Sequence, residues 1–397
     1  MGPTLADRLR EQLVRELPAL AALQPGGVER LPAILDSWLA GSGMDPEATA
    51  GLAADLLGAG PLEALLADER ITEIMVNGPG DVRVEVDGRL QPTDVRFASE
   101  PRLRAVIDRL LAGTGRRLDE SMPTVDAVLA DGTRLNAVLP PVALAGPLLT
   151  LRRPRRATLS LADLVRLGSV PRAVAAFLHA AVIGRCNIVV SGGTGAGKTT
   201  LLAALAALVP TDQRIVTVED VAELRIDHPH VVAQQCRDPL AAGVAPIDMR
   251  ALLRNTLRMR PDRIVVGEVR GAEAADMVAA MNTGHPGSMS TVHANSAGDA
   301  HSRLEALVSL AWPSVATSTV RGWLATAIDV IVQCERDQSG RRVVSEVVAI
   351  DDYNFGAIFD RAGEPELLRR PPRRCLDRMS RHGIDFTLDP ASRAHVA

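Results

Sequence analysis

Hydrophobic and polar positions along the chain change their spacing at several points, and each change marks a candidate boundary. Residues 1–58 carry leucine and alanine at helical spacing, with breaks at Gly26-Gly27 and around residues 41–46. The pattern predicts a helical N-terminal extension, and nothing in its residues indicates a function.

Residues 59–152 combine strand-like and helix-like patterns. Apolar runs at Ile74–Asn77 and Val82–Val86 flank the turn signal Gly78-Pro79-Gly80, and Arg102–Leu111 has helical spacing. Further strands are predicted at Ala127–Leu129, Arg134–Val138 and Leu148–Arg152. We therefore expect a small α/β N-terminal domain in this part of the chain.

A charged segment follows this domain. The run Arg152-Arg153-Pro154-Arg155-Arg156 combines four arginines with a proline, which favours an exposed connection, and we predict a linker over residues 153–170. On residues alone, these arginines are equally compatible with a solvated turn and with a functional role.

Residues 171–360 alternate between helix and strand in the manner of a parallel α/β domain. The apolar strand Asn187–Ser191 leads into a glycine-rich loop and a helix at Thr199–Leu208. Further strands are predicted at residues 214–219, 263–266, 288–293, 330–334 and 343–350, and further helices at residues 171–183, 248–259, 272–282, 297–310 and 315–327. Residues 361–397 are rich in arginine and proline, and we predict a peripheral C-terminal tail.

Composition narrows the class of protein. With 47% hydrophobic and 23% charged residues, the 397-residue chain has the composition of a globular protein of two or three domains. A net charge of −4 and an aromatic content of 2% disfavour direct binding of nucleic acid. The apolar stretches are too short to span a membrane, so we expect any membrane role to be peripheral.

Cysteine usage indicates the cellular compartment. Cys186, Cys236, Cys334 and Cys375 lie far apart in the sequence and form no CxxC or Cys/His cluster. This spacing argues against a disulfide framework or a cysteine metal site, and it fits a reducing cytosol.

Residues 192–199 satisfy the phosphate-binding pattern G-x-x-x-x-G-K-[ST] in full. They also have the required context, because an apolar strand precedes them and a helix follows. We expect Lys198 to bridge the β- and γ-phosphates of a nucleotide and the Thr199 hydroxyl to bind Mg²⁺. The predicted nucleotide-binding residues are Gly192, Gly193, Thr194, Gly195, Ala196, Gly197, Lys198, Thr199 and Thr200.

Lys198 is the only lysine among 44 lysine and arginine residues. Chance placement at this position is the plain alternative. A physical reason favours function, since a compact ammonium fits between phosphates where a planar guanidinium does not.

Acidic and histidine residues follow predicted strands of the same domain. Glu219 ends one strand, and Glu268 follows another in which Gly267 stands where a Walker B motif usually has its magnesium-binding aspartate. His285 and His293 flank a third strand. A single glutamate or histidine would suit a surface or structural role equally well. Their combination with a P-loop favours a hydrolytic site.

These segments together resemble the ATPases of type II and type IV secretion systems and of type IV pili. Thr217–Asp220 is similar to the acidic "Asp box" of that family, Arg263–Arg270 to its atypical Walker B motif, and Gly284–Asn295 to its "His box". Within the family the chain resembles the tight-adherence (Tad) pilus branch over about residues 60–350. The stretches that carry this likeness are Gly115–Ser121, Asp131–Pro141, Arg250–Gly271, Met281–Gly287 and Ser302–Leu307. Ala196 and Val292 depart from common residues of the family without removing a reactive group.

The resemblance implies a fold and an activity. It implies a RecA-like P-loop ATPase domain with a separate, smaller N-terminal domain, assembled as a homo-hexamer that hydrolyses ATP with Mg²⁺. In this reading Glu268 polarises the attacking water, Glu219 and Thr199 serve the metal, and His285 or His293 senses the γ-phosphate. Arg134, Arg152 and Arg153 match family positions at which arginines of the N-terminal side complete the phosphate site.

The resemblance also implies a cellular setting. It places the protein in the cytoplasm, peripheral to the inner membrane, where it would drive pilus assembly or secretion through membrane platform proteins. One alternative is a conjugation-type export ATPase of type IV secretion. A RecA-like nucleic-acid motor is disfavoured by charge and composition, and a binding module that does not hydrolyse nucleotide is disfavoured by Glu268.

Overall fold

The computed structural model describes residues 58–86, 88–153, 158–237, 245–351, 354–362 and 369–387. The predicted helical extension at residues 1–58 lies outside the described residues except for its last one. The chain forms two compact units, which divide between residues 155 and 156.

The first unit is built on a six-stranded antiparallel sheet with the order β3-β2-β1-β6-β5-β4. A 3₁₀ turn at Gly60–Leu62 leads into helix α1, and α2 buries Leu103, Val106, Ile107 and Leu111 in the core of the unit. The elements are α1 (Glu63–Ala67), β1 (Ile71–Val76), β2 (Val82–Val86), β3 (Arg89–Pro92), α2 (Glu100–Leu111), β4 (Thr124–Val128), β5 (Arg134–Val138) and β6 (Leu148–Arg152). The predicted small α/β domain is confirmed.

The second unit contains an eight-stranded sheet with the order β14-β13-β12-β7-β11-β10-β8-β9. Strands β12 through β9 in this order are parallel, whereas β13 and β14 continue the sheet as antiparallel strands. The strands are β7 (Ile188–Gly192), β8 (Ile215–Glu219), β9 (Val231–Gln235), β10 (Arg263–Val269), β11 (Met289–His293), β12 (Val330–Arg336), β13 (Arg342–Asp351) and β14 (Asn354–Asp360).

Helices cover this sheet, and two hydrophobic clusters form its core. All five residues of β7 and all five of β8 are buried, as expected for parallel strands covered on both faces. The helices are α3 (Leu161–Arg166), α4 (Arg172–Ile183), α5 (Lys198–Ala206), α6 (Met249–Thr256), α7 (Glu273–Asn282), α8 (Ala297–Ala311), α9 (Thr317–Ala327) and α10 (Arg373–Arg381). The predicted parallel α/β domain is confirmed, and the carboxyl ends of its parallel strands share one edge of the sheet.

Part of the expected linker is an ordered helix. Helix α3 begins at Ser160, whose side chain and backbone form a capping box with Asp163. Leu161 and Leu164 are buried in the core of the second unit. The connection is therefore shorter than the 153–170 segment expected from its charges, because the apolar face of α3 packs on the core of the second unit.

The C-terminal segment also differs from the expected peripheral tail. Cys375 and Met379 of α10 are fully buried in the core of the second unit. Arg374 and Arg378 form ion pairs with Asp329, whose side chain has no exposed surface. Burial raises the pKa of Asp329, and the charge of Arg378 opposes that rise. Two arginines of the predicted tail, Arg374 and Arg378, are therefore partners of a buried carboxylate.

Within the described part of the chain, none of the helices is both long enough and apolar enough to cross a membrane.

Candidate active site

The glycine-rich loop connects the carboxyl end of β7 to the first residue of α5. Gly192 has φ +153°, and a Cβ there would lie 2.4 Å from the Cys334 carbonyl oxygen of the neighbouring strand. Gly197 is the N-cap of α5 with φ +98°. Both positions exclude ordinary side chains, and the loop presents the amino end of a helix, which favours anions.

Lys198 folds back over the loop. Its Nζ donates to the carbonyl oxygens of Gly192 at 2.9 Å and Gly193 at 3.0 Å, and it lies 3.9 Å from Oε1 of Glu268. Burial lowers the pKa of Lys198, while the charge of Glu268 opposes that shift. The ammonium group is thus held inside the loop, where a phosphate could replace the two carbonyl oxygens as its acceptor.

Glu268 lies between two cations. Its Oε2 accepts a hydrogen bond from Nε of Arg270 at 2.8 Å and a second one from Nη2 of the same guanidinium. Glu268 and Arg270 are two residues apart at the end of β10, a spacing that places side chains on one face of a strand. Lys198 and Arg270 therefore fix a carboxylate beside the phosphate loop. The sequence analysis missed Arg270, although its alternation with Glu268 was a usable signal.

Glu219 approaches the end of β10 from β8, and 3% of its surface is exposed. Its Oε1 accepts hydrogen bonds from the backbone N–H groups of Glu223 and Leu224, both at 2.9 Å. A Cβ on Gly267 would lie 2.9 Å from Cγ of Glu219. The carboxylate of Glu219 therefore lies over Gly267, next to the backbone that carries Glu268.

The two histidines lie at opposite ends of β11. His293 pairs in register with Gly192, and the N–H of Ala294 donates to the Gly192 carbonyl oxygen at 3.4 Å. His285 precedes the amino end of the strand, where its carbonyl oxygen accepts a hydrogen bond from the Ser288 hydroxyl. The structure brings His293 to the phosphate loop and does not bring His285 there.

A buried glutamine connects the loop to the segment after His293. Oε1 of Gln333 accepts from the Ser191 hydroxyl at 2.5 Å, and its Nε2 donates to the Ala294 carbonyl oxygen at 3.4 Å. Gln333 lies in β12 with 4% of its surface exposed. The sequence analysis treated Val330–Cys334 as an apolar strand and missed this polar residue within it.

The three predicted arginines of the first unit lie on its central strands or just after them. Arg134 of β5 pairs in register with Arg152 of β6, and Arg152 pairs with Glu73 of β1 on its other side, with Nε 3.4 Å from Oε1. Nη1 of Arg153 donates to the Asp68 carbonyl oxygen at 2.6 Å. Arg134 and Arg152 thus lie opposite each other on neighbouring strands, and Glu73 partly balances the charge of Arg152.

Comparisons with known proteins show what the chain is similar to. The family described as "Type II/IV secretion system protein" matches residues 55–392. A "Putative conjugal transfer protein" of Mycobacterium tuberculosis (strain ATCC 25618 / H37Rv) is 45% identical over 305 residues, which are 75% of this chain and 86% of that protein. Conjugal transfer protein TrbB of Rhizobium radiobacter is 36% identical over 299 residues, 72% of this chain and 86% of its own length.

A solved structure shows the same fold. The pilus retraction motor PilT with bound ADP superposes with a TM-score of 0.56 at 23% identity, over 73% of this chain and 83% of that one. This likeness shows that the two proteins share an α/β fold.

Proposed function

Since the chain belongs to the type II/IV secretion system protein family and is a secretion ATPase, we propose that it powers Tad-type pilus assembly or protein secretion. The observation that carries this proposal is the grouping of Lys198, Glu268 and Glu219 at one edge of the sheet. Nζ of Lys198 lies 3.9 Å from Oε1 of Glu268, and Glu219 lies over the adjacent Gly267. This grouping combines a phosphate ligand with the carboxylates that hydrolysis requires.

Phosphate binding would draw Lys198 away from the carbonyl oxygens of Gly192 and Gly193. The backbone N–H groups of the loop would then donate to the β-phosphate while Nζ contacts the β- and γ-phosphates. Because Lys198 is already within the loop, the change needs only a short movement of its ammonium group.

The residues present fit Mg²⁺. The Thr199 hydroxyl and the Glu219 carboxylate are hard oxygen donors of the kind that this ion prefers. Among the described residues no group of three or more His, Cys, Asp or Glu side chains could hold a metal by themselves. Mg²⁺ takes most of its ligands from water and phosphate, so two protein oxygens are enough to help hold it. When bound, Mg²⁺ would neutralise charge on the phosphates.

Glu268 would orient and polarise the attacking water. The water oxygen forms a bond to the γ-phosphorus, the bond from that phosphorus to the β–γ bridging oxygen breaks, and ADP and inorganic phosphate result. One O–H bond of the water breaks in the same process, and its proton passes by way of the Glu268 carboxylate to phosphate or solvent. Glu268 suits this task because Arg270 and Lys198 hold its carboxylate in one orientation. His293, beside Gly192, would sense the γ-phosphate and pass its loss to the segment that follows β11. The position of His285 supports a different task, away from the phosphate loop of its own chain.

Arg134, Arg152 and Arg153 would complete the phosphate site from the first unit. The paired positions of Arg134 and Arg152 support a shared anion between them, whereas the bond from Arg153 to the Asp68 carbonyl oxygen suits a supporting role. The full machine would be a homo-hexamer in the cytoplasm that acts on inner-membrane platform proteins. The relatives named as conjugal transfer proteins favour a second candidate, export by a conjugation-type secretion system.

A deletion with complementation separates these candidates. The host strain without this gene is complemented with the wild-type chain or with Lys198→Ala, and both surface pili and conjugal transfer are scored. We expect only the wild-type chain to restore pili. Restoration of DNA transfer with unchanged piliation would overturn the Tad-type proposal in favour of conjugation-type export.

A further inference from the structure

Two arginines face each other where β12 ends and β13 begins. Arg336 and Arg342 pair in register across the hairpin. Both guanidinium groups donate from Nε to one acceptor, the Gly195 carbonyl oxygen of the phosphate loop, at 3.3 Å and 2.9 Å respectively. Cations placed opposite each other repel, and the acceptor that the two groups share offsets part of this repulsion.

Their shared acceptor determines the direction of the next amide. In a trans peptide the carbonyl and the following N–H point in opposite directions. Because the Gly195 carbonyl points toward the arginines, the N–H of Ala196 points into the loop, where it donates to the Gly193 carbonyl oxygen at 3.3 Å. That same oxygen accepts from Nζ of Lys198 at 3.0 Å. The Ala196 N–H therefore points to the same part of the loop as Nζ of Lys198, where we expect the phosphate to bind.

The arginines also pack closely against the loop. A Cβ on Gly195 would lie 3.0 Å from Nη2 of Arg336, and one on Gly197 would lie 3.3 Å from Cδ of Arg342. Both glycines have positive φ, +69° and +98°. The guanidinium of Arg336 and the aliphatic part of Arg342 thus cover the outer side of the loop. They limit the backbone conformations that Gly195 and Gly197 would otherwise allow.

We propose that Arg336 and Arg342 are positioning residues that set the affinity of the phosphate loop for nucleotide by fixing the Gly195–Ala196 peptide. They act through this peptide and contact none of the reacting atoms. The inference rests on nucleotide binding by the P-loop, which is part of the proposed function, and not on the machine that the ATPase drives.

The test compares Arg336→Ala, Arg342→Ala and the double variant with Arg341→Ala. Arg341 belongs to the same hairpin, but its side chain is 67% exposed and pairs with Asp337, which makes it a matched control. The measurements are the Kd for ADP, the KM and kcat for ATP, and the midpoint of thermal unfolding. Each single variant is expected to weaken ADP binding and raise KM about ten-fold, the effect of losing one charge-assisted hydrogen bond. The double variant should lose more, while kcat and the control change less than about two-fold.

The lysine variants Arg336→Lys and Arg342→Lys keep the charge and most of the packing but lose the planar donor. If an alanine variant fails to fold, the lysine variants provide the test. Their affinity for ADP is expected to lie between that of the wild-type chain and that of the alanine variants. An unchanged Kd in every variant would overturn the inference, and so would a fall in kcat at unchanged Kd, because that pattern belongs to a residue touching the transferred phosphate. Failure of the wild-type chain to bind ADP would instead overturn the P-loop assignment itself.

Discussion

Glu219 lies over Gly267, with its Cγ 2.9 Å from where a Cβ on that glycine would be. Glu219 ends β8, and Gly267 lies in the neighbouring parallel strand β10, where Val218 pairs with Val266. The glycine at the Walker B-like position thus has a steric reason: its missing side chain leaves room for a carboxylate from the next strand. The carboxylate of β8 thus lies where a side chain at this position of β10 would otherwise be.

Gly267→Ala should displace Glu219 and leave the fold intact, because the crowded atoms belong to a flexible side chain. A shift of about 1 Å in a catalytic group costs about 10²-fold in rate. We expect a loss in kcat approaching that size and a higher Mg²⁺ requirement, both measured by phosphate release. Gly80→Ala is the control, since a Cβ there meets nothing within 4 Å. Unchanged Mg²⁺ dependence in Gly267→Ala would argue against Glu219 at the metal.

Lys198→Ala should lower ATP turnover by about 10²-fold or more, because a charge that stabilises the transition state is lost. Lys198→Arg should be nearly as inactive, since the planar guanidinium does not fit between the phosphates. Circular dichroism should show native secondary structure for both variants. Turnover near the wild-type rate in either one would contradict the role of this ammonium group.

Glu268→Gln should separate binding from hydrolysis. The amide keeps the shape of the side chain but cannot polarise water as a carboxylate does, so we expect kcat to fall by about 10²–10⁴-fold. Binding of ATP should persist because Lys198 and the loop are intact, and equilibrium dialysis with ATP provides the measurement. Weak ATP binding together with residual turnover would indicate that Glu268 contributes to nucleotide binding and not to hydrolysis.

Arg378→Ala should destabilise the second unit, because it removes a partner of the buried Asp329. Breaking a buried ion pair costs about 3–5 kcal/mol, and the remaining Arg374 should keep the loss at the lower end of that range. Urea unfolding measures the loss. Arg373→Ala is the control, because its side chain is 89% exposed in its pair with Asp377 and should change stability very little.

The same variant should respond to pH in a defined direction. The pKa of Asp329 is raised above its ordinary 3.8 in the folded chain, so folding favours the protonated carboxyl. Its contribution is most favourable below the unfolded value and is lost as pH rises through the folded value. Without Arg378 the folded pKa rises further, so the loss of stability should be smaller at pH 5 than at pH 8. An equal loss at both values would contradict this account.

Local sequence signals predicted much of the site. The loop around Lys198 and the strand that ends at Glu268 are contiguous motifs whose spacing determines their geometry. Pairs distant in sequence were not predictable in this way. Arg342 meets Gly195 across 147 residues, and Gln333 meets Ser191 across 142, through strand neighbours that periodicity does not reveal.

His285 and α10 illustrate the same limit. His285 and His293 lie close in sequence, but β11 separates them, because a strand carries its two ends to opposite edges of the sheet. Arg374 and Arg378 of α10 belong to an arginine-rich segment that suggested a solvated tail, because their partner, Asp329, precedes them by more than 40 residues. Asp329 lies directly before β12. The composition of a segment shows how many charged residues it contains, but it does not show that their partner in the fold is buried.

The ion pairs of Asp329 also constrain how the chain is made. Asp329 accepts the N–H of Asn187, just before β7, so this carboxylate belongs to the base of the central strands. Its cationic partners are translated about 45–50 residues later. Until these arginines are present, burial of the unpaired Asp329 carboxylate is unfavourable. This favours a state of the nascent second unit in which the amino ends of β7 and β12 remain in contact with water. The phosphate loop is therefore translated before the two arginines that neutralise Asp329 at the base of the same sheet.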